Sequence, residues 1–357
     1  MRPTLCRIRL LRDKSDIASW PERRAEILSL FENELFGKTP ELVFDEERCV
    51  ELEHLRLEGG VERRLFGLCF RKGEQYCGLR FSVTYKDPSL PVILHLNPFT
   101  LSPRIYANRT FSFDKGGIFP TVRIAEEGFV AVDCHVDEFR SDSPIVGTDD
   151  IMAIYPPEKG GFGWCTISAW AWAGYKVASV LSSLGFSSDK ITVCGFSRGA
   201  KTALWAGAQY EVFTSVYACE AGCCGSAIFR GTQGETIEAI TRRYPYWSCD
   251  NFKKYASRED ELPFDQHMLL ALIAPRPLCI SSAREDLWSD PAKEFESCVL
   301  VSDLYEAMGY KGLASTGFPA DDKPVRGERL QYHARYGDHD CNSYDWDCVL
   351  GFLRMFV

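Results

Sequence analysis

The hydrophobic positions of this chain change period along its length, and the changes mark its elements. Between Ile17 and Gly37, the residues Ile27, Leu28, Leu30, Phe31 and Leu35 share one helical face. Pro21 suits the first turn, and Gly37 and Pro40 close the helix. From Val43 to Lys86 the pattern shortens. Leu65 to Phe70 and Leu79 to Tyr85 read as antiparallel strands about a polar Lys72-Gly73-Glu74 turn. Pro91 to Leu96 and Gly128 to Asp133 are buried strands, with a helix between them around Pro120 to Glu127. Strand, crossover helix, strand is the unit of a parallel sheet.

The same alternation continues. Gly163 to Ala178 sets small residues between large aromatics, as in a helix lying tightly on a sheet; Trp170 and Trp172 read as interior, and Trp164 could reach a pocket. Ile191 to Cys194, Ser215 to Cys219, Ala274 to Ala283 and Leu330 to Arg335 are further strands. Helices are expected from Ala200 and from Ser343 to Phe356. The fold class is α/β: a mainly parallel central sheet with helices on both faces and antiparallel strands near the N-terminus. Residues 1–357 form a single domain, with 1–60 a helical and extended segment packed on it. The polar stretch 137–163, rich in Pro and Gly, is expected to be an insertion rimming a site.

Composition narrows the function. The chain has 357 residues, 45% hydrophobic and 13% aromatic, enough for one large core. Net charge is −9 and no basic run is present, which argues against nucleic acid or an anionic membrane as partner. No apolar run is long enough to span a bilayer. Arginines interrupt the apolar residues from Met1 to Arg12, so the segment does not read as a secretory signal, and a cytoplasmic location is expected. Fifteen cysteines, several inside strands (Cys134, Cys194, Cys279), are expected to be reduced, buried thiols. Cys219, Cys223 and Cys224 cluster without a second Cys/His pair at zinc spacing, so neither a metal nor a cofactor is expected.

The chemistry centres on Gly195-Phe196-Ser197-Arg198-Gly199. This G-x-S-x-G lies between a buried strand and a helix, the context in which a serine is held on a sharp turn with its hydroxyl exposed. A Gly-rich βα turn without chemistry could use the same glycines, but it would not call for a serine between them. Two carboxylates follow. Glu220 stands just past a strand end, before a Gly-containing loop, and Asp286 stands in the loop after Ala274 to Ala283. Strand ends are where doubly wound sheets bind ligands, although an ordinary surface glutamate would fit position 220 as well. Of the six histidines, His339 alone sits in a Gly-containing loop after the last strand. His333 and His95 lie within strands, His54 near the antiparallel strands, and His135 and His267 in loops. The order Ser, acid, His is that of an α/β-hydrolase triad. Such enzymes usually carry glycines in the loop equivalent to Asn97-Pro98-Phe99-Thr100; here that run is missing. Either one backbone N–H suffices for the oxyanion, or the Arg198 side chain takes over.

Taken together, Gly195 to Lys201, Trp164 to Trp172, Glu220 to Gly225, Ala274-Pro275-Arg276-Pro277 and Glu285 to Pro291 resemble the glucuronoyl esterases, carbohydrate esterase family 15. The similarity runs from about Pro91 to the end of the chain. It implies an α/β-hydrolase fold and a serine esterase with Ser197 as nucleophile, His339 as base and Arg198 as an oxyanion contributor. It implies Lys201 as a ligand of the uronate ring hydroxyls, with Glu235 and Trp288 lining the same pocket. Family members place the acid at either of the two positions, so Glu220 and Asp286 both stand, with a slight lean to Glu220. Ala200 departs from the family's usual second glycine. The implied partner is an oligosaccharide or small-molecule ester, most simply a glucuronoyl ester. An acetyl or acetylxylan esterase, a general carboxylesterase and a silent carbohydrate-binding relative are the alternatives. A cytoplasmic member would be expected to act on small imported uronic-acid esters or acetylated oligosaccharides. Nothing in the sequence specifies an oligomeric state.

Overall fold

A computed structural model of the chain describes residues 9–11, 17–99, 117–319 and 323–357. Thr100 and most of the Met1 to Arg12 segment lie outside the described residues. The strands are β1 (Glu46–Arg56), β2 (Glu62–Lys72), β3 (Gln75–Tyr85), β4 (Val92–Asn97), β5 (Val130–His135), β6 (Ile191–Phe196), β7 (Ser215–Cys219), β8 (Leu278–Ala283), β9 (Val325–Arg326) and β10 (Leu330–Arg335). They form one ten-stranded sheet in the order β1-β2-β3-β5-β4-β6-β7-β8-β10-β9. In that order the neighbours from β5 through β4, β6, β7 and β8 to β10 run parallel, and β9 pairs antiparallel with β10. β1, β2 and β3 pair antiparallel, and β3 joins the parallel part through β5.

The central strands β4, β6, β7 and β8 are buried at every position, as both-face coverage by helices demands. The helices include α1 (Trp20–Phe31), α2 (Thr121–Glu126), α3 (Thr166–Val180), α4 (Arg198–Gln209), α5 (Pro291–Ala307) and α6 (Ser343–Leu353). α1 is bound into the core. Phe31 and Phe36 stack near Trp205 of α4, with Phe36 only 4.6 Å from it. Arg24 donates to the carbonyls of Ala208 at 2.7 Å and Leu272 at 3.1 Å, satisfying acceptors that helix ends leave open.

Several boundaries differ from the sequence pattern, each for a local reason. β8 begins at Leu278 rather than Ala274, because Pro275 and Pro277 lack the N–H a ladder needs and Arg276 donates its N–H back to Ile273. α4 begins at Arg198, directly after the turn. His135 is the last residue of β5 and His267 lies in a short helix, Gln266–Ala271, so neither stands in a loop. β1, mostly exposed and alternating charged with apolar residues, carried no readable pattern. The stretch 137–163 is not structureless: helical turns at Val136–Phe139 and Ile151–Ile154 punctuate it. No helix among the described residues is long and apolar enough to cross a membrane.

After α1 the helix continues through a wider turn, Glu32–Phe36, and ends at Gly37 with φ of 76°. A Cβ on Gly37 would lie 2.2 Å from the Gly163 carbonyl oxygen and 2.6 Å from Trp164 Cα. Backbone stands there, so nothing can swing aside. Gly37→Ala should therefore cost about 3 kcal/mol or more, combining left-handed strain with overpacking. A urea unfolding midpoint that stayed at the wild-type value would contradict this placement.

Candidate active site

At the C-terminal end of β6 the chain reverses into α4 through Ser197, which takes φ 56° and ψ −120°. This is a region a non-glycine residue occupies only under constraint. The Ser197 N–H donates to the Cys219 carbonyl at 2.9 Å, tying the turn to the end of β7. The glycines flanking it have no room for a side chain. A Cβ on Gly195 would meet the Gly199 carbonyl at 2.2 Å, and one on Gly199 would meet the Leu96 carbonyl oxygen at 2.5 Å. The motif is thus a three-way backbone contact between β4, β6 and the first turn of α4.

His339 is delivered by the loop after β10. Its ring lies 4.6 Å from that of Phe196, the residue before the serine. The loop after β8 ties down the segment that carries it: the Arg284 N–H donates to Arg335 O at 2.8 Å and the Glu285 N–H to Gly337 O at 3.2 Å. His339 Nδ1 faces both candidate acids, Asp286 Oδ2 at 2.7 Å and Glu220 Oε2 at 2.8 Å. The slight lean towards Glu220 has no support in these near-equal distances. What distinguishes the two carboxylates is their surroundings. Glu220, with φ of 53°, is buried and held by Arg335 Nη2 at 2.6 Å and by the Asp340 N–H at 3.1 Å.

The electrostatics follow from that packing. Burial alone would lower the His339 imidazole, but its hydrogen bonds to Asp286 and Glu220 push it up to about 9. Burial pushes the Glu220 carboxyl up, to about 8, against the pull of His339 and Arg335. Asp286 is also penalised by burial, yet the His339 and Ser289 hydrogen bonds hold it below the usual carboxylate range. Two acids facing one ring are therefore driven apart, the pattern that assigns distinct roles to paired titratable groups.

Several supporting residues carried no sequence signal. Arg335 Nε donates to Asp345 at 2.8 Å, and Asp345 also faces His333 at 3.2 Å, extending a buried chain away from Glu220. Glu294, buried at the start of α5, accepts from the Gly222 N–H at 2.9 Å and from Ser282 at 2.6 Å, and fixes the loop after Glu220. Charged residues that alternate with apolar ones in a strand or helix look like solvated positions. Only the three-dimensional packing reveals that these are enclosed.

Arg198 is stacked against Trp247, its guanidinium carbon 4.7 Å from the ring centroid, and is ion-paired with Asp142 of the 137–163 stretch. Its Nε is buried and has no hydrogen-bond partner. Lys201 is 5% exposed and donates to the carbonyls of Ala221 at 2.6 Å and Cys223 at 2.5 Å. An ammonium has three N–H bonds, so one remains. Lys201 borders a cavity of about 10 Å³ with Ile240, Tyr244, Trp247 and Ser248, and Ser248 Oγ is likewise unpartnered. Glu235 is buried, and its N–H donates to the Trp288 carbonyl at 2.8 Å. Trp288 itself is 52% exposed.

Among the described residues, two clusters bring together atoms that could bind a metal: Glu220, Asp286 and His339, and Cys219, Cys341 and Asp345. In the first, the ring nitrogen already meets both acids. In the second, Arg335 and His333 occupy the two Asp345 oxygens. All fourteen described cysteines are free, and Cys69 alone among them is exposed.

A strained serine on a strand-to-helix turn, with a histidine backed by acids packed against the residue before it on a mostly parallel sheet, defines a carboxylic ester hydrolase of the α/β-hydrolase type. The family model for glucuronyl esterase of fungi matches residues 123–309. Carbohydrate esterase MZ0003, from an unknown prokaryotic organism, is 30% identical over 93% of this chain and 83% of its own length. The solved glucuronoyl esterase from Solibacter usitatus superposes with a TM-score of 0.82 at 29% identity, covering 95% of this chain and 93% of that one. A promiscuous CE15 esterase from a marine bacterial metagenome superposes with a TM-score of 0.81 at 28% identity, covering 94% and 91%. The chain belongs to the glucuronoyl esterase family, carbohydrate esterase family 15, and is a hydrolase of carbohydrate esters.

The site makes a prediction of its own about protonation. The His339 imidazole should titrate near 9 by NMR. Asp286→Asn should lower that midpoint by roughly 1 unit or more, because a facing anion is removed. An unchanged midpoint would mean that Asp286 does not set the charge on the ring.

Proposed function

We propose that the protein hydrolyses glucuronoyl esters in two acyl-transfer steps, with Ser197 as nucleophile. The observation that carries this reading is the strained Ser197 together with a His339 that packs 4.6 Å from the neighbouring Phe196 ring and whose Nδ1 is held by carboxylates. His339 takes the serine proton as Ser197 Oγ attacks the ester carbonyl, then returns it to the departing alcohol. Water, deprotonated by the same imidazole, releases the acyl group as a free acid. Asp286, the acid that stays ionised most readily, orients the ring and stabilises the imidazolium. Glu220 is the second acceptor, held in place by Arg335.

The oxyanion forms at the start of α4, where backbone N–H groups and the helix dipole favour negative charge. The described residues of the loop after β4 offer little help. Pro98 has no N–H, and that of Phe99 is already donated to Asn97 Oδ1 at 3.1 Å. The unpartnered Nε of Arg198 supports a side-chain contribution in its place. Lys201, Glu235 and Trp288 would bind the uronate ring. The names of the Solibacter and fungal relatives support the glucuronoyl acid half. One observation favours a broader acetyl or general esterase instead: two of the three Lys201 N–H bonds are already committed to carbonyls.

The test is turnover of benzyl glucuronate beside an acetyl ester, with wild type and Ser197→Ala. Faster uronate cleavage, lost by roughly four orders of magnitude in the variant, is expected. Preference for the acetyl ester would transfer the assignment to the broader esterase, and no turnover of either would remove it. With His339 raised to about 9, the neutral base form increases as pH rises, so kcat/KM should climb between pH 7 and 9. A profile that falls over this range would contradict His339 as base.

A further inference from the structure

The roles proposed above leave Asp142 without a task, although it is bound as tightly as any residue near the serine. It lies just past the helical turn Val136–Phe139, in the polar stretch with no periodicity to place it. Oδ2 accepts from Arg198 Nη1, and Oδ1 accepts from Trp247 Nε1 at 2.7 Å. The Tyr246 hydroxyl donates to its main-chain carbonyl at 3.2 Å. Carboxylate and guanidinium side chains are 17% and 18% exposed. Around them the aromatic rings form a slot. The Arg198 guanidinium carbon lies 4.7 Å from the Trp247 centroid and 5.3 Å from those of Tyr244 and Phe99. Tyr244 and Trp247 are themselves stacked at 3.7 Å with 4° between their planes.

We infer that Asp142 is a positioning residue, which fixes the plane of Arg198 so that its free Nε–H edge is presented to the developing oxyanion. The inference rests on the reading of Arg198 as an oxyanion contributor. An arginine side chain carries about 2 kcal/mol of rotamer entropy. Left loose, it would have to be ordered during the reaction, and the donors that stabilise a transition state best are those already in place. Asp142 removes that cost in the resting enzyme. Its Oδ2 pins one amino group, the rings restrict rotation about the side-chain axis, and Trp247 Nε1 stops the carboxylate itself from turning. Nε remains buried, with no acceptor among the described residues.

The experiment is a double-mutant cycle between positions 142 and 198, read as kcat and KM on benzyl glucuronate and on 4-nitrophenyl acetate. Asp142→Asn keeps an oxygen for Trp247 and loses the charge held by Arg198. It should lower kcat roughly tenfold on both esters with KM almost unchanged, a fraction of the 10²- to 10³-fold typical of deleting an oxyanion donor. Asp142→Glu should recover part of that loss. In an Arg198→Ala background, Asp142→Asn should cause no further loss, because the residue acts through Arg198. Trp247→Phe, which frees the other side of the carboxylate, gives a second route to the same loss.

Full kcat in both Asp142→Asn and Trp247→Phe would overturn the inference. So would an equal loss with and without Arg198, or a KM increase confined to the glucuronate. If Arg198→Ala itself keeps wild-type kcat, the oxyanion reading fails and the anchoring role fails with it. If Arg198→Ala is impaired and Asp142→Asn is not, only the anchoring role fails.

Discussion

Everything at this site depends on how closely three pieces of backbone approach one another. The first turn of α4 sits against the ends of β4 and β6 with no space for a Cβ at Gly195 or Gly199. That contact forces Ser197 into a left-handed conformation, which the hydrogen bond to Cys219 at the end of β7 helps to hold. Strain of this kind, of order 1–3 kcal/mol, persists only when the surroundings over-determine it. Here they do: the β4, β6 and β7 strands are fully buried, and α3 and α4 lie over them as part of the main core.

The second constraint is electrostatic. The imidazole of His339 meets two acids, and a buried hydrogen-bonded chain runs on through Glu220, Arg335, Asp345 and His333. Unpaired, each of these groups would be expensive to enclose. Paired, they fix the β10 loop, because Arg335 also donates to the carbonyls of Tyr336, Asp338 and Asp340. The same guanidinium therefore sets the path of the loop carrying His339 and the position of one acid behind it. Asp142 and Arg198 form a comparable pair on the other side of the serine, enclosed by aromatic rings instead of further charges.

In the proposed mechanism Ser197 is the nucleophile, His339 carries the proton, and Arg198 together with the backbone N–H groups at the start of α4 meets the oxyanion. The exposed residues at the rim, Leu287 and Trp288, leave the loop after β8 open next to Asp286. Lys201 and Glu235 are instead buried and already held by backbone carbonyls and loops.

The sequence alone determined the features carried by local pattern. Alternating buried strands and helices specified a mainly parallel sheet, and Gly195, Ser197 and Gly199 specified the turn, since no other residues fit such a backbone path. His339 and both acids could be named because chain order and position after strands place them at one edge of the sheet. What the sequence did not determine was every relation between distant segments. It could not tell whether Glu220 or Asp286 meets the histidine; the structure brings both to Nδ1. Nor could it reveal Asp142, Arg335, Asp345 or Glu294, which in a linear pattern look like solvated charges. Their roles arise from burial and from partners up to 115 residues away, as in Arg335 with Glu220. Local conformational preference is written residue by residue, whereas the pairing of buried charges is decided only when the whole chain closes around them.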